Sequence, residues 1–172
     1  MLNPPPRIIT QYALESLSRR ATSLPRGRAN LNVHPQLDDP VQRLFNAMEP
    51  GTYVRPHRHA RPDGWELMMV VSGRFAILLF DEHGQVTERF DLGENAIAAV
   101  EIPPFTWHSV VSLLPATVMF EVKPGPYLPL SDKDFAHWAP PEGDAECGHF
   151  VEWYTAARPG DTAPGFPVNS SD

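Results

Sequence analysis

From Val41 to Lys123 the chain alternates between short apolar runs and turn-forming breaks. VQRLFNAME, TYVRPHRH, WELMMVVS, RFAILLF, QVTERFDL, AIAAVEI, HSVVSLL and TVMFEVK each predict a strand, being short, rich in β-branched or aromatic residues and bounded by Pro, Gly or Asp. Pro50-Gly51 stops the first run, and ARPDG is a turn. Pro56 marks an edge or an irregular point in the second run, because proline has no N–H to give to a ladder. Gly73 permits a tight approach or turn. Asp81-Glu82-His83-Gly84 reads as a hairpin turn. Short strands at this spacing predict an all-β sandwich or barrel.

The flanks differ. Residues 1–9 read as an extended, Pro-rich tail. Thr10 is positioned to cap a helix running to about Arg20, with Tyr12, Leu14 and Leu17 on its apolar side. SLPRGRANLNVHPQLDDP reads as loop with one short strand at 29–34. Ser131 is placed to cap a short helix, DKDFAHW, and a second helix is expected from Glu146 to about Ala156, with Phe150, Trp153 and Tyr154 packing on the strands. RPGDTAPGFPVNSSD is expected to be mobile. The chain thus divides into a tail and short helix at 1–27, a β-barrel at 28–130 and a helical extension with a flexible tail at 131–172.

A chain of 172 residues suits one domain with its own core. Twenty prolines favour many short elements over long helices. The net charge of -7 argues against a nucleic-acid-binding surface, although a local basic cluster or a metal can still hold an anion. The lone Cys147 has no internal disulfide partner. No apolar run reaches membrane-spanning length, so no membrane partner is expected. The first twenty residues lack the apolar core of a secretory signal, and the cytoplasm is the default expectation.

Four residues carry the candidate chemistry: His57, His59, Glu66 and His108. Two histidines two apart on a strand share a face. Glu66 opens the run LMMVV and His108 opens SVVSLL, so each can be presented from a neighbouring strand. Three imidazoles and a carboxylate suit one divalent transition metal, whether Fe, Mn, Ni, Co, Cu or Zn. Asp63 competes with Glu66 for the acid position, but it lies in a turn, Arg61-Pro62-Asp63-Gly64, that explains it without a metal. Glu66 is the chosen ligand.

Around that set, Glu101 and Glu121 are candidate proton carriers, each of which could equally be a solvated surface residue. In TVMFEVK one face carries Met119, Glu121 and Lys123 and the other Val118, Phe120 and Val122, and Lys123 is either a cavity-rim group that binds substrate or part of an outward ion pair. Arg28, Asn30, Asn32 and His34 recur at every second position, either as a polar ligand-binding strip or as a solvated loop. Arg55 and Arg58 point away from the site on a regular strand. Tyr53, Phe105 and Trp107 read as packing residues, and His83, His137 and His149 as exposed ones.

The core resembles the cupin superfamily. Gly51, His57, His59, Glu66 and Gly73 follow the order of its first motif, with six residues between His59 and Glu66 where three or four are usual. Pro103 and His108 fit the second motif, with Phe105 in place of its Gly and Ser112 in place of its Asn. More extensively, DDPVQRLFNAMEPGTYVRPHRH, GRFAILLFDEHG, VEIPPFTWHSVVSL, FEVKPGPY and FAHWAPPEG look like the WbuC family of cupin-fold metalloproteins. The resemblance implies a jelly-roll barrel with short helical extensions, a bound metal, a homodimer and a link to bacterial surface polysaccharides. The expected function is a metal-dependent isomerase or epimerase acting on a small polar or sugar-derived molecule. The alternatives are a non-catalytic, metal-anchored metabolite- or carbohydrate-binding module and an iron-dependent dioxygenase.

Overall fold

In the computed structural model, which describes residues 5–129, 131 and 134–165, the apolar runs become eight strands flanked by two helices. In chain order these are α1 (Gln11–Ser23), β1 (Arg28–Asn32), β2 (Val41–Met48), β3 (Glu66–Ser72), β4 (Arg74–Phe80), β5 (Val86–Gly93), β6 (Ala99–Ile102), β7 (Trp107–Ser112), β8 (Thr117–Pro124) and α2 (Cys147–Ala156). They form two antiparallel sheets, one ordered β1-β2-β8-β3-β6 and the other β5-β4-β7. His57 extends the smaller sheet past β7: its N–H donates to His108 O at 3.0 Å and its carbonyl accepts the His108 N–H at 2.9 Å. Apart from the edge strand β1, β2-β8-β3-β6 thus faces a set made of the His57 segment, β7, β4 and β5. Four strands facing four in this order make a jelly roll.

Each layer explains a pattern in the sequence. β4 is almost wholly apolar because both its faces are covered. Phe75, Ile77 and Leu79 face the inter-sheet core with Met48, Met68, Ile102 and Met119. Ala76, Leu78 and Phe80 face outward and are covered by Trp138, Phe150, Val151 and Tyr154, the last three from α2. On the far side, α1 lays Leu14, Leu17 and Ala21 over Ala29, Ala47 and Val118 of the larger sheet. Thr10 begins that helix by accepting the Ala13 N–H at 3.2 Å. No helix of the described residues is long and apolar enough to cross a membrane.

Three expectations need correction. TYVRPHRH is not a strand: only His57 bridges, because Pro56 has no N–H to donate. Its neighbours turn instead to the C-terminal segment, with Arg58 N–H donating to Asp134 O and Ala136 N–H to Pro56 O. Second, the helix expected at DKDFAHW is cut short: Asp134 is in a 3₁₀ turn, its N–H donating to Ser131 O at 2.9 Å, but Phe135 already bridges to His57, while residues 132 and 133 lie outside the described set. Third, the segment after Arg158 docks on the β4–β5 hairpin through Val86 N–H to Asp161 O (2.8 Å), Gly160 N–H to Val86 O (2.8 Å) and Ala163 N–H to Gly84 O (3.0 Å). The remainder of that tail, 166–172, and residues 1–4 of the N-terminal tail lie outside the described residues.

Gly73 joins β3 in one sheet to β4 in the other at φ +77, and a Cβ there would meet Thr117 Oγ1 at 2.5 Å. That hydroxyl is already committed, donating to Leu114 O at 2.7 Å and accepting the Arg74 N–H at 3.2 Å. Gly73→Ala is therefore expected to lower the stability of the metal-free protein by about 2 kcal/mol or more. Urea unfolding should show a lower midpoint at unchanged slope.

Candidate metal centre

Strand register decides which side chains enter the space between the sheets. On β8 the inward face carries Met119, Glu121 and Lys123, not the more apolar alternative. Val118 is buried under α1, and Phe120 packs on Phe45 on the outer face with ring centroids 4.7 Å apart. The inward positions on β2 are Gln42, Leu44, Asn46 and Met48, and on β3 Glu66 and Met68. An apolar sandwich would place aliphatic groups at most of these sites. Here Gln42, Glu66 and Glu121 are all buried, and each needs a partner.

His57, His59, Glu66 and His108 bring one donor atom each to within 4.8 Å of one another. Glu66 Oε2 lies 3.2 Å from His59 Nε2 and 3.1 Å from His108 Nε2. The backbone sets the ring tautomers. His57 Nδ1–H donates to Arg55 O at 3.0 Å, and His108 Nδ1–H to Thr106 O at 2.9 Å, which leaves Nε2 of each ring with a lone pair. At His108 that nitrogen faces a carboxylate oxygen, an arrangement that is repulsive unless a proton or a metal ion lies between them. Donors on one ion at bond lengths of about 2.1 Å sit up to roughly 4.2 Å apart, so a small contraction places all four on one metal. The donor set, three nitrogens and one oxygen, fits a divalent transition ion.

The loop between His59 and Glu66 makes this possible despite its length. Arg61 N–H and Phe105 N–H both donate to His59 O, at 2.9 and 3.1 Å, and Gly64 N–H closes the turn on Arg61 O at 2.9 Å. A Cβ on Gly64 would lie 2.8 Å from His59 O, so the turn can fold back on His59 only with glycine there. Phe105, which replaces the Gly of the second motif, adopts φ 63. The position retains the left-handed backbone for which glycine is suited.

Electrostatics prepare the ligands. Burial pushes the His57 pKa down, the neighbouring His108 adds to this, and the ring is held neutral, well below the usual histidine range. Burial opposes the charge on Glu66, but the Lys123 ammonium beside it outweighs that and holds the carboxyl well below the usual range. Lys123 Nζ donates to Glu66 Oε1 at 3.0 Å, which turns Oε2 toward the imidazoles. The same ammonium pairs with Glu121 Oε1, and Asn46 Nδ2 donates to Glu121 Oε2 at 2.6 Å. Burial, with the Glu66 charge beside it, pushes the Glu121 carboxyl up to about 8. Burial disfavours the Lys123 charge, yet the two carboxylates outweigh that and hold its pKa well above the ordinary value.

A cavity of about 720 Å³ opens over this floor, a size suited to a small molecule. His57, Glu66, His108, Glu121 and Lys123 line it, as do Arg28, Asn30, Asn32 and His34. A second cavity of about 320 Å³ reaches the same centre from the His59 side, sharing His57, Gln42, Lys123 and Tyr127 with the first.

Other expected site residues fall as follows. Arg28 lies at the rim but is tied down, donating to Tyr53 O at 2.8 Å and pairing with Glu142. Asp63 is exposed and pairs with Arg61, so it is Glu66 that stands with the histidines. Glu101 is corrected: β6 alternation buries Ile102 inward and leaves Glu101 exposed on the outer face, lining neither cavity. Arg55 donates to Ala136 O, and Arg58 stacks over Trp107 at 4.3 Å, both away from the ligands. Tyr53 and Trp107 are buried packing residues, whereas Phe105 is half exposed. His83, His137 and His149 are exposed. Gln42 and Asn46 escaped the reading of the sequence, although polar groups at alternate positions of VQRLFNAM were the available signal.

A family model described as a domain of unknown function, DUF6016, matches residues 9–92, taking in His57, His59 and Glu66 but not His108. No curated protein matches the chain. Among solved structures, KdgF from a Halomonas species is similar at 23% identity, over 60% of this chain and 84% of that one, with a TM-score of 0.44. A cupin superfamily protein from Desulfitobacterium hafniense is similar at 15% identity, over 56% and 76%, with a TM-score of 0.45. A mutant of the oxalate decarboxylase OxdC from Bacillus subtilis is similar at 18% identity, over 63% of this chain and 27% of that one, with a TM-score of 0.47. The jelly-roll assignment rests on strand order, not on these likenesses.

His57→Ala and His108→Ala are expected to abolish stoichiometric metal, as is Glu66→Gln to a lesser degree, while Arg58→Ala and Asp63→Asn retain it. Elemental analysis of untagged protein distinguishes these outcomes. Lys123→Met would leave two buried carboxylates facing each other, so the metal-free variant should lose about 3 kcal/mol of stability. Adding metal should restore part of that loss in urea unfolding.

Proposed function

We propose that this chain is a cupin-type metalloenzyme acting on a small polyhydroxylated, sugar-derived molecule, in the manner of an isomerase or epimerase. One observation carries the reading: the lone pair of His108 Nε2 faces Glu66 Oε2 at 3.1 Å on the floor of a polar cavity. A bound divalent ion there, held by His57, His59, Glu66 and His108, would supply Lewis-acid polarisation of substrate oxygens. Glu121 is the proton carrier in this scheme. Its carboxyl, pushed up to about 8, is poised to take a proton from carbon and return it near neutral pH. Lys123 keeps the negative charge on Glu66 from opposing that cycle, and Asn46 fixes the carboxyl plane of Glu121. The resemblance to WbuC proteins adds a role in surface polysaccharide metabolism.

A second reading has its own support. Both oxygens of Glu121 are already engaged, by Lys123 and by Asn46. That suits a structural partner in a binding module as well as a base.

The two readings separate on turnover. Metal-loaded protein incubated in deuterated water with sugar acids, hexose phosphates and nucleotide sugars should exchange a carbon-bound proton of one of them, followed by NMR. Glu121→Gln should keep its metal and lose that exchange by about a hundredfold or more. Exchange that survives in Glu121→Gln would remove this residue from the mechanism. Binding without exchange would favour the module, and oxygen uptake would move the protein to dioxygen chemistry.

A further inference from the structure

Beyond the metal ligands, one cross-strand row of the larger sheet is polar across β2, β8 and β3, before it reaches the buried Ile102 of β6. Gln42 on β2 pairs in register with Lys123 on β8. Continuing the β3–β8 register by one residue sets Glu66 opposite Lys123, and continuing the β1–β2 register by two, past the end of β1, sets His34 opposite Gln42. The Val33 N–H to Arg43 O bond at 2.7 Å and the Lys123–Glu66 ion pair at 3.0 Å support both extensions. The row therefore reads His34, Gln42, Lys123, Glu66, all lining the larger cavity. Neighbouring strands lie about 4.8 Å apart, so three spacings set the backbones of His34 and Glu66 roughly 14 Å apart.

The far end of this row has unused hydrogen-bonding capacity. His34 is 5% exposed and Gln42 is 2% exposed. His34 Nδ1 lies 2.9 Å from both Arg43 N and Arg43 O; the carbonyl already accepts the Val33 N–H at 2.7 Å, whereas the Arg43 N–H on the same side of β2 needs Nδ1 as its acceptor. Nδ1 is thus the acceptor, and Nε2 carries the proton. That Nε2 is buried with no partner. Gln42 Nε2 gives its two hydrogens to Leu37 O at 3.1 Å and Asp39 O at 3.0 Å, and its Oε1 has no partner among the described residues. A buried unpaired donor costs about 1–3 kcal/mol unless something outside the chain accepts it.

We infer that His34 and Gln42 form a distal subsite for a hydroxyl-bearing group, so that the ligand of this cavity is of disaccharide length. An N–H donor beside an amide acceptor suits hydroxyls, each of which accepts and donates. An anion would meet the Gln42 oxygen unfavourably, and the charge of Lys123 is already matched by Glu66 and Glu121. Asn30, Asn32 and Asn46, on the same face, add further amide groups without net charge. The distance from Glu66 exceeds a single sugar ring. This inference rests on the metal-anchored ligand of the proposed function and specifies how far that ligand extends.

Two probes with the same metal-binding end test it: gluconate, and lactobionate, which is gluconate carrying one galactosyl ring. Calorimetry on the metal-loaded full chain should show lactobionate binding about tenfold more tightly. His34→Asn keeps an acceptor for the Arg43 N–H and removes Nε2–H. It should weaken lactobionate about five- to tenfold and leave gluconate unchanged. The wild-type comparison stands even if that variant fails to fold. Equal affinity for the two probes in the wild type, binding of neither, an unchanged lactobionate affinity in His34→Asn, or an equal loss for both would overturn the subsite. Failure of the wild type to hold any metal, read by elemental analysis beforehand, would instead overturn the metal reading and this inference with it.

Discussion

Glu66 is a charged carboxylate sealed between two sheets, and the cavity floor is organised to keep it there. A buried charge is tolerated only when paired and hydrogen-bonded. Lys123 satisfies Oε1, and two imidazoles crowd Oε2. Lys123 reaches it because β8 lies beside β3. His108 reaches it from the opposite sheet, because β7 and the single bridging residue His57 form the wall facing it. Strand order therefore fixes the donor set, and the donor set accounts for that strand order being useful.

The surrounding layers serve to hold this floor rigid. α1 covers the back of the larger sheet, and α2 with Trp138 covers the back of the smaller one. The inter-sheet core of Phe75, Ile77, Leu79 and Met119 fills the space alongside the metal centre. Ligands whose rotamers are locked by packing and by backbone acceptors lose little entropy on taking up an ion. The cost falls on the loops. The turn at 60–64 tolerates no side chain at Gly64, and Phe105 sits in a left-handed conformation to bring its N–H to His59 O.

Polarity is graded along the cavity. Near the imidazoles the groups are charged and paired with one another. Toward β1 stand the amides of Gln42, Asn30 and Asn32 and the imidazole of His34, whose Nε2 has no partner, with Arg28 held by Glu142 at the rim. Under the proposed function, such an arrangement would set chemistry at one end and recognition at the other, with remote contacts positioning a ligand for reaction at a fixed point.

Local sequence determined the strands, because period-two patterning and turn residues act over a few neighbours. It also determined the four candidate ligands, because their types and spacing are legible without coordinates, and the N-cap at Thr10. The missing strand at 52–59 depended on Pro56 finding partners in residues about eighty positions away, beyond any local pattern. Which face of β8 points inward was equally illegible: Met119, Glu121 and Lys123 are the more polar choice, and only α1 packing on Val118 turns them toward the cavity. Glu101 looked as suitable as Glu121 in the chain, until strand alternation placed one outside and the other beneath the ligands. Type and spacing are properties of neighbours in sequence, whereas facing, burial and pairing are properties of neighbours in space, and tertiary packing alone sets those.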